Sequence, residues 1–347
     1  MRPVKTALAS FGMSGMVFHA PLLHMNDGFE ISKILERSRN SSKSKYPYAR
    51  IVRDFEDLCL DDSLELIIVN TPDHTHYELA KAALNAGKHV VVEKPFTLKY
   101  SHAAELEELA SKKDLLISVF QNRRWDGDFL TVKRVIDQKL LGRLVEFESH
   151  FDRFRNYIQP ATWKEDASTG TGTLYNLGSH MIDQALLLFG KPRRVTADIR
   201  IFRSGGSVDD SFEVWMGYDD IKVTVCGSYL VREAGPRYCL HGTEGSFLKW
   251  GLDPQEKALK SGIMPGGNRW GCEDENDWGI INTTVGNGQL RGRYETVPGN
   301  YQAYYDNIYS VLREGKEPEV PARQASLVVK VIEAAFMSQK TGKSVSL

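Results

Sequence analysis

An excess of charge of either sign is missing from this chain. Lys and Arg number 44 against 45 Asp and Glu, for a net charge of −1 over 347 residues. Such a balance gives no whole-protein attraction to nucleic acid or to an anionic membrane surface, so neither is expected as a partner. Cysteine is scarce, with only Cys59, Cys226, Cys239 and Cys272. No two of them form CxxC, and no histidine cluster completes a zinc spacing. No metal is therefore expected, and the thiols read as buried and free in a reducing, cytoplasmic setting. No apolar run approaches the ~20 residues that a membrane span needs. The first apolar stretch, Thr6-Ala7-Leu8-Ala9, is broken at once by Ser10, Gly12, Ser14 and Gly15. That reads as a strand and a glycine loop rather than a leader. Internal repeats and low-complexity tracts are also missing.

What is present is a globular composition, 41% hydrophobic and 26% charged, in a chain long enough for two domains rather than one core. The first third alternates strand-like and helix-like segments. Strand-like runs fall at 4–9, 31–35, 66–69, 89–92 and 115–120, and several are continuously apolar. Continuous runs mark strands covered on both faces, as in a parallel sheet. Between them, Leu79, Ala80, Ala83 and Leu84 share one helical face before Gly87. Ala103, Leu106, Leu109 and Ala110 share another, with Ser101 as an N-cap. Strand alternating with helix predicts a doubly wound Rossmann domain at 1–122.

After about Arg123 the pattern changes. A helix is expected at 129–136. Val145, Phe147, Ser149 and Phe151 then alternate with Glu146, Glu148, His150 and Asp152, the mark of a strand with one wet face. Similar strands are expected at 195–202, 211–216, 222–228, 238–241 and 246–250. Residues 262–292 read as an irregular, glycine-rich excursion, and two helices close the chain. The fold class is therefore an α/β Rossmann domain followed by an α+β domain, 123–347, with a large, mostly antiparallel open sheet. The final helix is free to return to the first domain.

Ser10-Phe11-Gly12-Met13-Ser14-Gly15 stands where the first strand turns into a helix, and matches GxGxxG with Ser in the first position. A dinucleotide needs a tight turn, a bare glycine beside the pyrophosphate, and helix N–H groups aimed at that anion. An ordinary strand-to-helix turn is the plainer alternative, and Ser10 leaves the tightness of the turn open. About twenty residues on comes Glu36-Arg37-Ser38-Arg39. An acid there accepts from ribose hydroxyls and favours NAD, whereas Arg pairs with a 2′-phosphate and favours NADP. Both are present. Arg37 and Ser38 lie nearest the expected ribose, so the reading leans to NADP, with a solvated loop beyond Lys43.

Three further segments carry a resemblance. Asn70-Thr71-Pro72-Asp73-His74-Thr75-His76 follows the run at 66–69. Ala86-Gly87-Lys88-His89-Val90-Val91-Val92-Glu93-Lys94-Pro95 forms the next strand and its exit. Gly172-Thr173-Leu174-Tyr175-Asn176-Leu177-Gly178-Ser179-His180-Met181-Ile182-Asp183 opens a helix in the second domain. Over essentially the whole chain these resemble the glucose–fructose oxidoreductase/inositol dehydrogenase (Gfo/Idh/MocA) family. Asn122-Arg123-Arg124-Trp125-Asp126 looks closest to its NADP-using scyllo-inositol 2-dehydrogenase-like bacterial members.

The resemblance implies an NAD(P)-dependent oxidoreductase that moves a hydride between the nicotinamide and a hydroxyl carbon of a cyclic polyol or sugar, with inositol as a candidate. It implies Lys94 as general acid/base and His180 as a second base. A partly desolvated Lys beside a positive charge titrates nearer neutrality, which suits that work. Many relatives carry Asp four residues before this His, where this chain has Asn176. Asn hydrogen-bonds substrate but does not stabilise an imidazolium by charge. Asp183 is either a buried structural acid or a second orienter of His180. Cofactor contacts are expected from Ser10, Phe11, Gly12, Met13, Ser14, Gly15, Glu36, Arg37, Ser38, Asn70, Thr71, Pro72, His76, Glu93, Lys94 and Asn122. Substrate contacts are expected from Arg124, Trp125, Tyr157, Trp163, Asn176, His180, Arg237 and Tyr238. A homodimer or homotetramer is expected. Two other functions stay open: a redox-neutral, NAD-dependent glycosidase or lyase, and a non-catalytic dinucleotide sensor.

Overall fold

The computed structural model describes residues 2–160, 162–167 and 171–347. The chain divides into two compact units. Unit 1 comprises Met1–Asn122, Gln255–Trp270 and Asn300–Ser326; unit 2 comprises Arg123–Pro254, Gly271–Gly299 and Leu327–Leu347.

Unit 1 holds six strands: β1 (Val4–Leu8), β2 (Phe29–Leu35), β3 (Arg50–Val52), β4 (Leu66–Val69), β5 (His89–Val92) and β6 (Ile117–Val119). All pair in parallel, in the order β3-β2-β1-β4-β5-β6. Every residue of β4 and Val90, Val91 and Val92 of β5 are 0% exposed, so the continuous apolar runs are covered on both faces. Helices α1 (Ala20–His24), α2 (Glu56–Cys59), α3 (His76–Asn85) and α4 (Tyr100–Lys112) connect them. Ala80, Ala83 and Leu84 of α3 face inward, and Gly87 follows the helix with φ +74. The first residue of α4 is Tyr100, so Ser101 sits within its first turn and the cap position is Lys99. From β1 the chain winds outward to β2 and then returns to β4 on the other side. The strand ends beside that reversal form the crevice where open α/β sheets bind ligands.

Unit 2 carries α5 (Gly127–Asp137) and α6 (Ser179–Phe189) against a nine-stranded sheet. Its strands are β7 (Leu144–His150), β8 (Arg194–Arg200), β9 (Ser211–Gly217), β10 (Lys222–Ser228), β11 (Tyr238–Gly242), β12 (Gly245–Lys249), β13 (Gly279–Val285), β14 (Gly288–Tyr294) and β15 (Val345–Ser346). The order is β14-β13-β12-β11-β7-β10-β9-β8-β15, antiparallel except where β10 pairs with β7. Phe147, Val214, Met216, Val223, Val225, Tyr238, Leu240 and Phe247 line the inner face, all 0% exposed.

The glycine-rich stretch 262–292 is not irregular throughout. It contains β13 and the start of β14, a hairpin turning at Gly286 with φ +61. Val285-Gly286-Asn287-Gly288 is the two-residue turn that such a hairpin favours. Strand β14 lies at the sheet edge with Gln289, Leu290 and Arg291 exposed, so it lacks the alternation that betrays a strand.

After Pro254 the chain alternates between units. Helices α7 (Gln255–Lys260) and α8 (Gln302–Glu314) belong to unit 1. Tyr304 and Tyr305 of α8 meet Phe120 at ring distances of 5.0 and 5.9 Å. A single 123–347 segment does not describe these returns, because amphipathy shows that a helix buries a face but not which core receives it. The last helix, α9 (Ala322–Thr341), belongs to unit 2 from Leu327 on. There the Ala197 N–H donates to Ser338 Oγ (3.1 Å) and the Ile199 N–H to Gln339 Oε1 (2.8 Å). The four cysteines are free and half-buried rather than buried. Burial pushes the Cys226 thiol up to about 12.

Candidate functional site

The loop after β1 answers the doubt that Ser10 raises. Ser10 Oγ accepts the Gly12 N–H at 3.1 Å, so the turn closes by a side-chain bond where the usual motif has glycine. Gly15 is bare because it must be: a Cβ there would stand 2.5 Å from Ser10 O and 2.9 Å from Asn70 Nδ2. Gly12 is bare for another reason. A Cβ there would meet only Ser10 Oγ, at 3.4 Å, so the fold tolerates a side chain that an approaching pyrophosphate would not. Asn70, at the end of β4, donates to Ser10 O at 2.9 Å. Its Oδ1 is buried and meets no donor among the described residues, which fits a hydroxyl donor from a bound ligand. The residues present therefore fit a dinucleotide. Phe11 packs edge-on against Tyr46 at 6.0 Å, and Met13 is exposed.

Glu36 lies at the end of β2 and is turned away from solvent. Its Oε1 accepts from the Ser42 N–H (2.9 Å) and hydroxyl (2.6 Å), and its Oε2 from the Ser41 N–H (2.8 Å). Burial raises its pKa, but these bonds and the Arg53 charge outweigh burial and hold it below the usual carboxylate range. Arg53 also donates to Glu36 O, Arg39 O and Asn40 Oδ1, which fixes the loop. Arg37, Ser38 and Arg39 are exposed.

Beyond β5, Glu93 is buried, Lys94 is half-buried, and the Lys94–Pro95 peptide is cis. Glu93 Oε1 accepts from the Ser14 hydroxyl at 2.5 Å and lies 3.1 Å from His19 Nε2. Burial acts to raise its pKa, yet His19, Lys94 and Ser14 prevail and hold it down at about 2. His76 faces the Pro95 carbonyl with Nδ1 (2.8 Å) and the Thr71 carbonyl with Nε2 (2.9 Å). It braces the exit of β4 against the Lys94 turn. Thr71 Oγ1 is 2.6 Å from Thr75 Oγ1, Pro72 is half-buried, and Asn122 is buried beyond β6.

In unit 2 a π-helical turn, Leu174–Gly178, leads into α6 and carries Asn176, with buried His180 at the second position of α6. The Leu174 N–H donates to Asp209 Oδ2 at 2.7 Å, and the Thr173 N–H to Asp209 O at 2.9 Å. Burial pushes the Asp209 carboxyl up to about 6, against the Leu174 hydrogen bond. The Asn176 amide faces Tyr229 Oη at 3.5 Å.

Family models confirm what this geometry suggests. The model for the oxidoreductase family's NAD-binding Rossmann fold matches residues 4–121. The model for the oxidoreductase family's C-terminal alpha/beta domain matches residues 133–347. The chain belongs to the Gfo/Idh/MocA family. It is an NAD(P)-dependent oxidoreductase of that family. It is 39% identical to the scyllo-inositol 2-dehydrogenase (NADP(+)) of Bacillus subtilis, over 99% of this chain and 96% of that one. A solved oxidoreductase from Bacteroides fragilis is 49% identical with a TM-score of 0.92, covering 100% of both chains. Another from Bacillus subtilis is 38% identical with a TM-score of 0.95, again over 100% of both. No helix among the described residues is long and apolar enough to cross a membrane.

Of the residues expected at this family's substrate site, several are committed inside unit 2. Arg124 makes a two-pronged bond to Asp183, Nε to Oδ2 at 2.7 Å and Nη2 to Oδ1 at 2.6 Å, with both side chains buried. That answers the question about Asp183: it holds Arg124, and with it the start of α6. Tyr238 is 0% exposed and donates its hydroxyl to Gln184 Oε1 at 2.8 Å. Arg237 is buried and donates to Ser149 Oγ and His150 O, both at 2.7 Å. Trp125 is buried, Trp163 half-buried, and Tyr157 exposed. Missing from the sequence reading were His19, Tyr305, Asp209 and Arg203. Arg203 binds Glu165, Asp210 and the Tyr157 carbonyl, which fixes the segment bearing Tyr157 and Trp163. The paired acids at Asp209-Asp210 were the one available signal.

Proposed function

We propose that this protein is an NADP-preferring dehydrogenase acting on a CH–OH carbon of a cyclic polyol or sugar, with an inositol the first substrate to test. When bound, the nicotinamide supplies the hydride acceptor or donor. The protein's part is to hold the alcohol and move its proton. Lys94 is the proposed general acid/base, His180 a second proton-handling group, and Asn176 a hydrogen-bonding partner of the substrate. Trp163 and Tyr157 are the proposed substrate-facing aromatics. The observation that carries this reading is the shared edge of one sheet. The glycine loop, Asn70 and Lys94 follow the C-terminal ends of neighbouring strands β1, β4 and β5. The name of the Bacillus subtilis relative supports both the substrate class and the cofactor. A homodimer or homotetramer is proposed as well; a monomer by light scattering at micromolar concentration removes that part.

The capture of Glu36 supports NADP. Its carboxylate is occupied by the 41–42 turn, while Arg37 and Ser38 remain exposed. A panel of inositols and sugars with NADP and NAD, read by absorbance of the reduced nicotinamide, tests the proposal. Net cofactor reduction supports it. Product without net reduction favours the glycosidase or lyase reading, and cofactor binding without any product favours a sensor. Arg37→Ala is expected to weaken NADP about 10–100-fold while sparing NAD, since a charge-assisted hydrogen bond is at stake. Equal weakening of both cofactors overturns the role of Arg37.

A further inference from the structure

Glu93 stands where three distant segments of unit 1 meet. Its Oε1 is engaged by the hydroxyl of Ser14, in the glycine loop, and faces Nε2 of His19, one turn further on. Its Oε2 accepts the backbone N–H of Lys94 at 3.0 Å. His19 is 0% exposed, and its Nδ1 lies 2.6 Å from Tyr305 Oη. Tyr305 is 0% exposed too, and burial holds its hydroxyl well above the usual range, so it remains a phenol with a proton to donate. Phe120 closes over the His19 ring at 4.4 Å. A carboxylate taken out of water needs its lone pairs met, and these are met by a hydroxyl, an imidazole and a peptide N–H. An acid that merely filled the core would have no reason to join these two places. One is the loop that faces the dinucleotide, and the other is the turn that bears the proposed base.

We infer that Glu93 tethers the glycine loop to the Lys94 turn so that the two move as one body, with His19 as the positioning residue that fixes the tether. Occupation of the loop is then felt at Lys94 without any direct contact between Lys94 and the nicotinamide. The inference rests on the reading of Lys94 as the acid/base.

Ser14→Ala tests it with little risk to the fold, since it removes one hydroxyl from a half-buried side chain. Lysines are methylated with a 13C label, and the Lys94 resonance is assigned by its loss in Lys94→Arg. The probe is 2′-phospho-ADP-ribose, which fills the loop but carries no nicotinamide. The Lys94 resonance of the unaltered protein is expected to move on adding the probe. Ser14→Ala is expected to lose at least half of that response and to lower kcat about tenfold, and Ser14→Thr to restore both. His19→Leu is expected to add an acidic limb to the pH–rate profile, as Glu93 begins to take up a proton. Among the described residues, the groups facing Glu93 are then Lys94, the Ser14 hydroxyl and the Tyr305 phenol, of which only Lys94 carries a charge. A Ser14→Ala protein with weakened dinucleotide binding but an unchanged Lys94 response and kcat overturns the tether. So does an unaltered protein whose Lys94 ignores the probe. An unchanged pH profile in His19→Leu removes the part given to His19. The resonance arm uses no substrate, so a failure of the polyol proposal leaves it readable on its own.

Discussion

Two helices of this protein open with a widened, π-helical turn, and the two openings are finished in opposite ways. The first, Gly15–His19 ahead of α1, follows the glycine loop, and the N–H groups of Met13, Ser14 and Gly15 meet no side-chain acceptor among the described residues. The second, Leu174–Gly178 ahead of α6, already holds a carboxylate of its own, since Asp209 takes the Leu174 N–H. The unsatisfied N–H groups of a helix start attract an anion. One start is left for a ligand to complete, and the other is completed from within. The comparison teaches that a motif glycine and a helix start become a binding site only where the protein declines to fill them. Wide turns of this kind often accompany function. Here the first follows the glycine loop proposed to meet the cofactor, and the second leads into the segment that carries Asn176 and His180.

The largest expected effect lies at Lys94, which Glu93 ties to the loop of the open start. Lys94→Met should lower turnover by roughly 10²–10⁴-fold while the fold and most dinucleotide affinity remain, the usual worth of general acid/base catalysis. Near-normal kcat would place the chemistry elsewhere. The next effect separates the two glycines. Gly172 has φ +140, and a Cβ there would stand 1.9 Å from Asp209 Oδ1, so Gly172→Ala should cost roughly 2–4 kcal/mol of stability by denaturant unfolding. Gly12→Ala should leave stability within about 0.5 kcal/mol and weaken dinucleotide binding instead. If the two variants behave alike, the contrast between a ligand's glycine and a fold's glycine is lost.

Asp209 gives the third test. Its folded pKa of about 6 lies above the ordinary carboxylate value, so the folded state holds the proton more tightly than the unfolded chain. Stability from this group is complete below about pH 4 and is lost as pH rises through about 6, by roughly 2–3 kcal/mol. Asp209→Asn should flatten that slope across pH 4–7; the same slope in both proteins would show that the cap is not the titrating group. The smallest effect concerns Asn176. With Asn176→Asp, a carboxylate near His180 favours imidazolium. The basic limb of the oxidation-direction profile should move upward if His180 takes the substrate proton. A change confined to KM would make His180 a substrate ligand, and no change at all would show that position 176 faces away from the substrate.

Much of unit 1 was legible because its signals are local. The apolar runs at 66–69 and 89–92 reveal buried strands by themselves, and the glycine loop lies next to β1 in the chain. The contacts that finish the site were not legible, because they join residues remote in sequence. Glu93 reaches back to Ser14 and His19, and His19 reaches forward to Tyr305. A lone His beside Phe18 and Pro21 gives no sign of being caged. Asp209 caps a helix start 35 residues before it. Arg124 looks like a substrate-binding fork in the sequence, since its partner Asp183 is visible only in three dimensions. Strand β3 was missed because Arg50-Ile51-Val52 is too short to show a period, and β14 because its edge position lets it stay polar.

The interleaving of the two units also has a consequence for how the chain is made. Synthesis delivers residues 1–122 first, with β1 through β6 and the glycine loop already complete. Yet the tyrosine that holds His19 arrives only with α8, and Val320 O, which accepts from the Ser118 hydroxyl at 3.0 Å, comes later still. A nascent chain can therefore form the Rossmann sheet early, but it leaves the cage around Glu93 open until α8 has been made, about 180 residues after β6. A ribosome-stalled fragment ending at Asn122 would present a finished strand order around an imidazole still exposed to water.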